Sequence, residues 1–265
     1  MNRMTVLMIA VLAVAASGCG AGPEDVATEF QNAINSQDTD SVLSLLVDDA
    51  VWQVDGTSHR TGKTEIEDWL ATQTELNLQI KGEPTSTESG VAFQSCSISS
   101  DMWGFFGVNP MTGTCQLALE AGLITGFVVQ FDDDSRTRLS DSPAAASAEI
   151  LGIWRTRNYL TDSGDLFLQF LEQGRGRLVG SSGDSIPAAD SDFEGASLTW
   201  TYKDYVLTIQ NEGLASDKYC QEQDVGIYLV KLVDAGGLKF KAISDSCSLR
   251  GIAVPLPPRW RPHLP

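Results

Sequence analysis

Two side chains capable of acid–base chemistry lie close together in the first half of the chain, Asp55 and His59. Asp55 follows the strand-like run Val51–Val54, and His59 lies in the loop before a helical pattern that begins at Lys63. A carboxylate or an imidazole facing an apolar pocket can exchange a proton with a substrate near neutral pH. Alternatively, Asp55 forms the turn that ends the strand and His59 is a solvated loop residue.

Other kinds of catalytic or cofactor site find no support in the residue pattern. The second histidine, His263, lies in a proline-rich tail, and no G-x-S-x-G sequence is present. No C-x-x-C pair occurs, so we expect no metal site. The run Gly56–Thr64 places five residues before its Gly-Lys-Thr end, whereas a phosphate-binding P-loop requires four. We therefore expect no cofactor.

The N-terminal segment has the composition of an export signal. Arg3 supplies a positive charge, Met4–Ala16 is apolar except for one threonine, and Ser17 and Gly18 precede Cys19. This pattern predicts a signal peptide over residues 1–18, too short to span a bilayer. The small residues before Cys19 resemble the lipobox of bacterial lipoproteins, which implies a lipid on Cys19 and a location at the cell membrane or outer envelope. The alternative is ordinary signal cleavage beside an incidental cysteine.

Cysteine number agrees with an exported protein. Setting Cys19 aside leaves an even set, Cys96, Cys115, Cys220 and Cys247. An even set suits disulfides in an oxidising compartment, and four cysteines allow three pairings. Because each half of the chain holds two of them, we favour Cys96–Cys115 and Cys220–Cys247.

The charge of the chain excludes one class of partner. Without residues 1–18 it has 17 basic and 35 acidic side chains, a formal net charge of −18. Most of the imbalance lies in Glu24–Ser135, with 19 acidic and three basic residues. Such a field repels phosphate groups, so we expect no nucleic acid partner. We interpret the acidic residues as a solvated surface, with attraction of a cationic ligand as the alternative.

Composition divides the exported chain into two domains. Ser135–Ala148 is rich in Ser, Ala and Pro and has no hydrophobic period, which predicts a linker. The predicted organisation is a signal peptide at 1–18, a lipidated tether at 19–23, a first domain at 24–134, the linker at 135–148 and a second domain at 149–265.

The first domain is predicted to be α+β, with a curved sheet wrapped on helices. Helices are predicted from Pro23, after the N-cap residue Asp38, and over Lys63–Thr74. A first strand is predicted at Val51–Val54. A meander of further strands follows, at Leu76–Thr85, Val91–Ser99, Thr112–Glu120 and Ile124–Phe131.

The run Phe30–Gly62 resembles the nuclear-transport-factor-2-like superfamily, in particular its SnoaL-like polyketide cyclase and ketosteroid isomerase branch. The shared features are the Asp48-Asp49-Ala50 turn, the Asp-Gly pair at Asp55, and a helix that opens at Lys63. The resemblance implies a cone with an apolar pocket and, as a further hypothesis, self-association through this domain. The candidate pocket residues are aromatic: Phe30, Trp52, Trp69, Trp103, Phe105 and Phe106.

Aligned on that turn, the oxyanion tyrosine of the isomerases corresponds to Phe30, which has no hydroxyl group. Their general-base aspartate falls on Val54, one residue before Asp55, and a one-residue shift in a strand turns the side chain to the other face. The alignment therefore favours binding over catalysis. Together with the predicted lipid on Cys19, it indicates an envelope-anchored protein that binds a small apolar molecule or an envelope partner. The alternative is a lyase or isomerase that uses Asp55 or His59.

An apolar segment, Met102–Val108, lies between Cys96 and Cys115. Its composition is unusual for a solvated loop at the end of a hairpin. It is predicted either to pack into the core or to form a pocket lid, a partner surface or a membrane contact.

The second domain is predicted to contain about eight short strands and no helix, an up-and-down β-barrel without exposed edges. Its first strand begins with Gly152-Ile153-Trp154, and its last strand is predicted near Ser248–Ile252. With Arg250 and Arg259 near the end, this sequence resembles the lipocalin or calycin pattern, which implies that Trp154 closes the barrel base against a late arginine.

Overall fold

A computed structural model describes residues 22–55, 57–88, 90–144, 147–157, 165–181, 195–212, 223–233, 237–246 and 261–262. The predicted signal peptide and the strand predicted at Ser248–Ile252 lie outside the described residues. So do several residues to which the sequence assigns a role, Cys19, Cys220, Cys247, Arg250 and Arg259. Among the residues that are described, no helix has both the length and the apolar character needed to cross a membrane.

The first part of the chain is a mixed α+β unit, as predicted. Its first three helices are α1 (Pro23–Asn35), α2 (Thr39–Ser44) and α3 (Lys63–Glu75). The six strands are β1 (Leu46–Val54), β2 (Arg60–Thr61), β3 (Gln79–Thr87), β4 (Gly90–Ser99), β5 (Met111–Glu120) and β6 (Leu123–Phe131). They form one sheet in the order β2-β1-β6-β5-β4-β3, in which only β1 and β6 run parallel.

Local sequence explains where the helices of this first unit begin and which faces they bury. Pro23 occupies the first turn of α1, where its missing N–H costs nothing. The Asp38 carboxylate accepts the Ser41 hydroxyl and N–H, which starts α2 and holds the pKa of Asp38 below its usual value. The apolar stripe of α1, which includes Phe30, is buried. We call the space between the helices and the concave side of this curled sheet the cone.

The segment Met102–Val108, predicted as a loop, contains a short helix, α4 (Asp101–Phe106). The Ser100 hydroxyl accepts the Trp103 N–H at the start of α4, and Gly107 ends it in a left-handed conformation with a φ of 80°. Met102, Trp103 and Phe106 are buried, so the helix packs into the core.

The predicted linker also contains a helix, α5 (Asp133–Ser140). The Asp132 carboxylate accepts the Ser135 N–H at 2.7 Å, and the fully buried Ser135 hydroxyl accepts the Thr112 N–H at 2.9 Å. These polar contacts tie α5 to strand β5. Hydrophobic periodicity does not indicate this helix, because hydrogen bonds rather than an apolar face hold it.

A disulfide joins Cys96 on β4 to Cys115 on the neighbouring strand β5, with their Cα atoms 5.8 Å apart. Both cysteines are buried in the core of the first unit. The bond therefore links two adjacent strands across the insertion that contains α4.

The second unit is an antiparallel meander after a four-residue helix, α6 (Ser147–Ile150). Its strands are β7 (Gly152–Arg157), β8 (Asp165–Phe170), β9 (Arg175–Ser181), β10 (Gly195–Lys203), β11 (Val206–Glu212), β12 (Val225–Val233), β13 (Gly237–Asp245) and β14 (Arg261–Pro262). Helix α6 and a 3-10 turn at Glu172–Gly174 correct the expectation of no helix.

Consecutive strands of this sheet pair with one another, and β14 returns to pair with β7. Within the described residues no ladder joins β13 to β14. Trp154 is buried in the core of this unit, and its indole N–H donates to the Ile150 carbonyl at 2.7 Å. Trp154 therefore anchors the start of the sheet to the helical turn before it.

Candidate functional site

The tip of the β10–β11 hairpin, Asp204-Tyr205, enters the mouth of the cone. Lys203 pairs with Val206, so the turn has two residues, and their φ angles are 53° and 68°. Two positive φ angles define a type I′ turn, for which Asn-Gly is the favoured sequence. A tyrosine in this conformation is unusual and costs on the order of 1–3 kcal/mol, so surrounding contacts must hold it.

Asp204 supplies the first of these contacts through a buried ion pair. One carboxylate oxygen accepts the Ser58 N–H at 2.5 Å, and the other bonds to the guanidinium of Arg60. The two side chains are only 9% and 3% exposed, respectively. Arg60 also donates to the Ser58 carbonyl at 2.5 Å, and its guanidinium carbon lies 4.8 Å from the centre of the Trp69 ring. Burial lowers the pKa of Arg60, and the charge of Asp204 opposes this shift.

Tyr205 packs against helix α4 of the first unit. Its ring centre lies 5.8 Å from that of Trp103 and 5.8 Å from that of Phe106. Burial, followed by the negative charge of Asp204, raises the pKa of Tyr205. Tyr205 is therefore a neutral phenol at this interface.

Beside this contact, Lys231 of strand β12 donates to the Phe105 carbonyl at 2.6 Å and lies 4.6 Å from the Phe105 ring centre. Three of the aromatic residues assigned to the pocket from sequence, Trp103, Phe105 and Phe106, thus contact the second unit. In the structure the segment Met102–Val108 packs into the core beneath the second unit, which is the first of the arrangements predicted for it.

Behind the turn lies a cavity of about 10 Å³. That volume is about what one water molecule needs, whereas ligand sites occupy roughly 300–1,000 Å³. Its lining is Val54, Thr57, Trp69, Gln73, Leu78, Ile80, Ile98, Met102, Trp103, Phe127 and Asp204. The remainder of the interior is filled by Phe30, Trp52 and Phe127, whose ring centres are 4.9–5.6 Å apart.

Two indole N–H groups in this region, those of Trp52 and Trp69, are buried without an acceptor in the described part of the chain. Leaving such a donor unpaired costs about 1–3 kcal/mol. Trp69 lines the cavity, and its ring centre is 5.5 Å from that of Trp52.

The two acid–base candidates do not line this cavity. The Asp55 carboxylate accepts the Phe131 N–H at 3.1 Å and the Nε–H of Arg136 at 2.7 Å. The hydrogen bond and the charge of Asp55 raise the pKa of Arg136. His59 is exposed. The structure therefore gives Asp55 a role in holding the start of α5 and leaves His59 in solvent.

The residues that sequence reasoning missed are Arg60 and Asp204. Arg60 is one of three basic residues in Glu24–Ser135 and directly follows His59, which made it detectable as an isolated cation. Asp204 lies in the turn between β10 and β11, 144 residues further along the chain, and no local pattern connects the two. In the described part, no group of three or more His, Cys, Asp or Glu side chains is arranged to hold a metal ion.

The chain matches no known family profile and no curated protein sequence. Several solved structures resemble it over less than half of its length. One is an NTF2-like protein from Cytophaga hutchinsonii, at 16% identity and a TM-score of 0.36 over 44% of this chain and 95% of that one. NTF2-like and ketosteroid isomerase proteins are among the matches.

A second is the Δ5-3-ketosteroid isomerase from a Mycobacterium species, at 19% identity and a TM-score of 0.36 over 43% of this chain and 97% of that one. A third is an epoxide hydrolase/cyclase-like enzyme with a role in pyran ring formation in the polyether salinomycin. It is 13% identical, with a TM-score of 0.37 over 43% of this chain and 92% of that one.

Proposed function

We propose that this protein is an exported, lipid-anchored binding protein whose cone receives a small apolar molecule when the β10–β11 turn moves aside. The observation that carries the proposal is the closure of the apolar cavity by Asp204. Among the described residues that line this cavity, Asp204 is the single titratable side chain, and its carboxylate is bonded to Arg60. The lining is thus suited to holding an apolar body rather than to transferring a proton.

An energetic argument separates binding from the alternative, a lyase or isomerase. General acid–base catalysis contributes about 10²–10⁴-fold and an oxyanion donor about 10²–10³-fold. The resemblance puts Phe30 at the donor position, where the side chain is fully buried and has no hydroxyl. It puts Val54 at the base position, and Val54 lines the cavity. Asp55, the displaced neighbour, is already paired with Arg136.

The envelope location is inferred from the residues before Cys19, and an oxidising compartment agrees with the Cys96–Cys115 disulfide. We further propose a Cys220–Cys247 disulfide. The pairing of Gly226 with Asp245 brings the segment before β12 close to the segment after β13, which supports it.

For the second unit we propose a closed lipocalin-like barrel in which Trp154 packs against Arg250 or Arg259. The pairing of β14 with β7 supports this arrangement, because it places the last strand along the chain beside the first strand of the unit.

Native mass spectrometry of protein purified from cell envelopes tests the binding function. We expect a co-purifying small molecule that is released on unfolding. A protein partner in place of a small molecule would contradict the proposed ligand class.

Catalysis is tested by screening enolisable ketones and epoxides with the wild type and with the Asp55→Asn, His59→Ala double variant. Asp49→Asn, at an exposed position on β1, is the matched control. We expect no turnover by any of them. Turnover by the wild type and the control that disappears in the double variant would establish the lyase or isomerase instead.

A further inference from the structure

We propose that Arg60 and the Ser58 N–H form a carboxylate-binding site that Asp204 occupies in cis, and that the ligands of this protein are carboxylates attached to an aromatic body. Such a ligand would displace the Asp204-Tyr205 turn from the mouth of the cone. The inference rests on the proposed binding function and names the class of molecule that the cone receives.

The two donors of this site belong to one short segment of the first unit. The guanidinium of Arg60 is held by the Ser58 carbonyl and by the face of Trp69, independently of the second unit. Arg60 and the Ser58 N–H each bind a different oxygen of the same carboxylate. Charge-assisted hydrogen bonds to both oxygens of a carboxylate are among the stronger and more specific ones.

The cation of this site is Arg60 rather than either of the two lysines in Glu24–Ser135. Lys63, nearby in sequence, pairs with Asp48 at 3.2 Å, and Lys81 is exposed. An arginine that is 3% exposed beside an apolar cavity requires an anion, because an unpaired buried charge is strongly unfavourable. Without Asp204, the mouth of the cone would contain a guanidinium that the Ser58 carbonyl and the Trp69 ring still orient.

The present occupant has the shape of the proposed ligand. The carboxylate of Asp204 is followed by the ring of Tyr205, which packs against the rings of Trp103 and Phe106. Both residues are held at positive φ, where a hairpin free of other contacts favours Asn-Gly. A two-residue hairpin turn takes this conformation because it matches the twist of the flanking strands, and the contacts of Asp204 and Tyr205 with the first unit offset its cost for these two residues.

The charge of the chain explains why the ligand needs an aromatic body. The formal net charge is −17, so small free anions are repelled from the surface. A carboxylate that also buries an aromatic ring against Trp69 and Trp103 gains hydrophobic free energy that offsets this repulsion. The combination of one cation with aromatic walls thus selects amphipathic aromatic acids.

The test uses an Asp204→Gly, Tyr205→Gly double variant of the full-length protein. It removes both the carboxylate and the ring, while Gly-Gly favours the same turn. The probes are 2-naphthoate and its neutral analogue 2-naphthamide, titrated by calorimetry. A tethered occupant competes at a millimolar or higher effective concentration, so we expect 2-naphthoate to bind the variant at least about tenfold more tightly than the wild type.

The same variant should prefer 2-naphthoate over 2-naphthamide by at least about tenfold, and adding Arg60→Met should abolish that preference. Asp101→Asn is the matched control, because it removes an exposed ion pair with Lys241 between the units without touching the cavity. It should bind like the wild type.

Equal binding of the two probes would overturn the carboxylate site and leave the proposed binding function intact. Binding of neither probe would overturn both. If the double variant does not fold, Asp204→Gly alone leaves a gap of the size of acetate. Acetate, and not acetamide, should then raise its melting temperature, and the absence of that difference would overturn the proposal.

Discussion

Replacing Arg60 by methionine leaves Asp204 buried without its counter-charge, and replacing Asp204 by asparagine leaves Arg60 in the same condition. The wild-type side chains are 3% and 9% exposed, so each single change strands a charge away from water. Breaking a buried pair from one side costs about 3–5 kcal/mol, whereas neutral replacement of both partners is far less costly. We therefore expect each single variant to lose about 3–5 kcal/mol of unfolding free energy.

The Arg60→Met, Asp204→Asn double variant should be no less stable than either single variant. Asparagine is chosen because it tolerates the positive φ at this position, so the backbone contributes little to the difference. The coupling energy of the cycle should accordingly be about 3 kcal/mol or more.

Urea unfolding followed by far-ultraviolet circular dichroism measures these differences from the transition midpoint and slope. Repeating the series at about 0.15 M and 1 M NaCl should change the coupling little, because a buried pair is weakly screened. The control pair, Asp101 with Lys241, is 48% and 42% exposed, and Asp101→Asn should cost less than about 1 kcal/mol. Additive losses below about 1 kcal/mol for Arg60→Met and Asp204→Asn would refute the buried contact between the units.

Three further predictions concern other parts of the chain. Cys19→Ser should move the protein from the membrane to the soluble fraction, and continued membrane association would contradict lipid anchoring. Replacing Cys96 and Cys115 by alanine should lower the unfolding free energy by about 3 kcal/mol, since the disulfide joins residues 19 apart, and an unchanged urea midpoint would count against this. Hydrogen bonds from the Thr112 hydroxyl and the Ser135 N–H lower the pKa of Asp132. The stability they supply is present above the unfolded-state pKa near 4 and is lost as pH falls through the folded-state pKa, so acid unfolding monitored by circular dichroism should be less steep in Asp132→Asn.

Local patterns in the sequence were enough to predict most elements of the first unit. Spacing of apolar residues at helical intervals predicted a helix from Pro23, and that helix buries Phe30. The strands that follow α3 lie within three residues of their predicted bounds. Such elements are predictable because hydrophobic periodicity and capping residues act over a few positions along the chain.

The turns and helices held by polar contacts were not predictable in this way. Helix α5 depends on Asp132 and on the buried hydroxyl of Ser135, and neither contributes an apolar period. Helix α4 is apolar but too short to show a period, so the sequence predicts a loop at Met102–Val108. Helix α5 depends on a hydrogen-bonding partner on β5, and helix α4 depends on the packing of its apolar side chains into the core.

The sequence by itself determined which kinds of residue the candidate site could contain. Phe30 has no hydroxyl group, and only three basic residues lie in Glu24–Ser135. Only the tertiary structure decided which of them meet. Arg60 and Asp204 are 144 positions apart, and each on its own resembles an ordinary loop residue. They pair because burying the cation beside Trp69 requires an anion, and the fold delivers one on the tip of a hairpin from the second unit. A requirement of that kind depends on which surfaces become buried together, and that is decided by packing over the whole chain rather than by any local spacing.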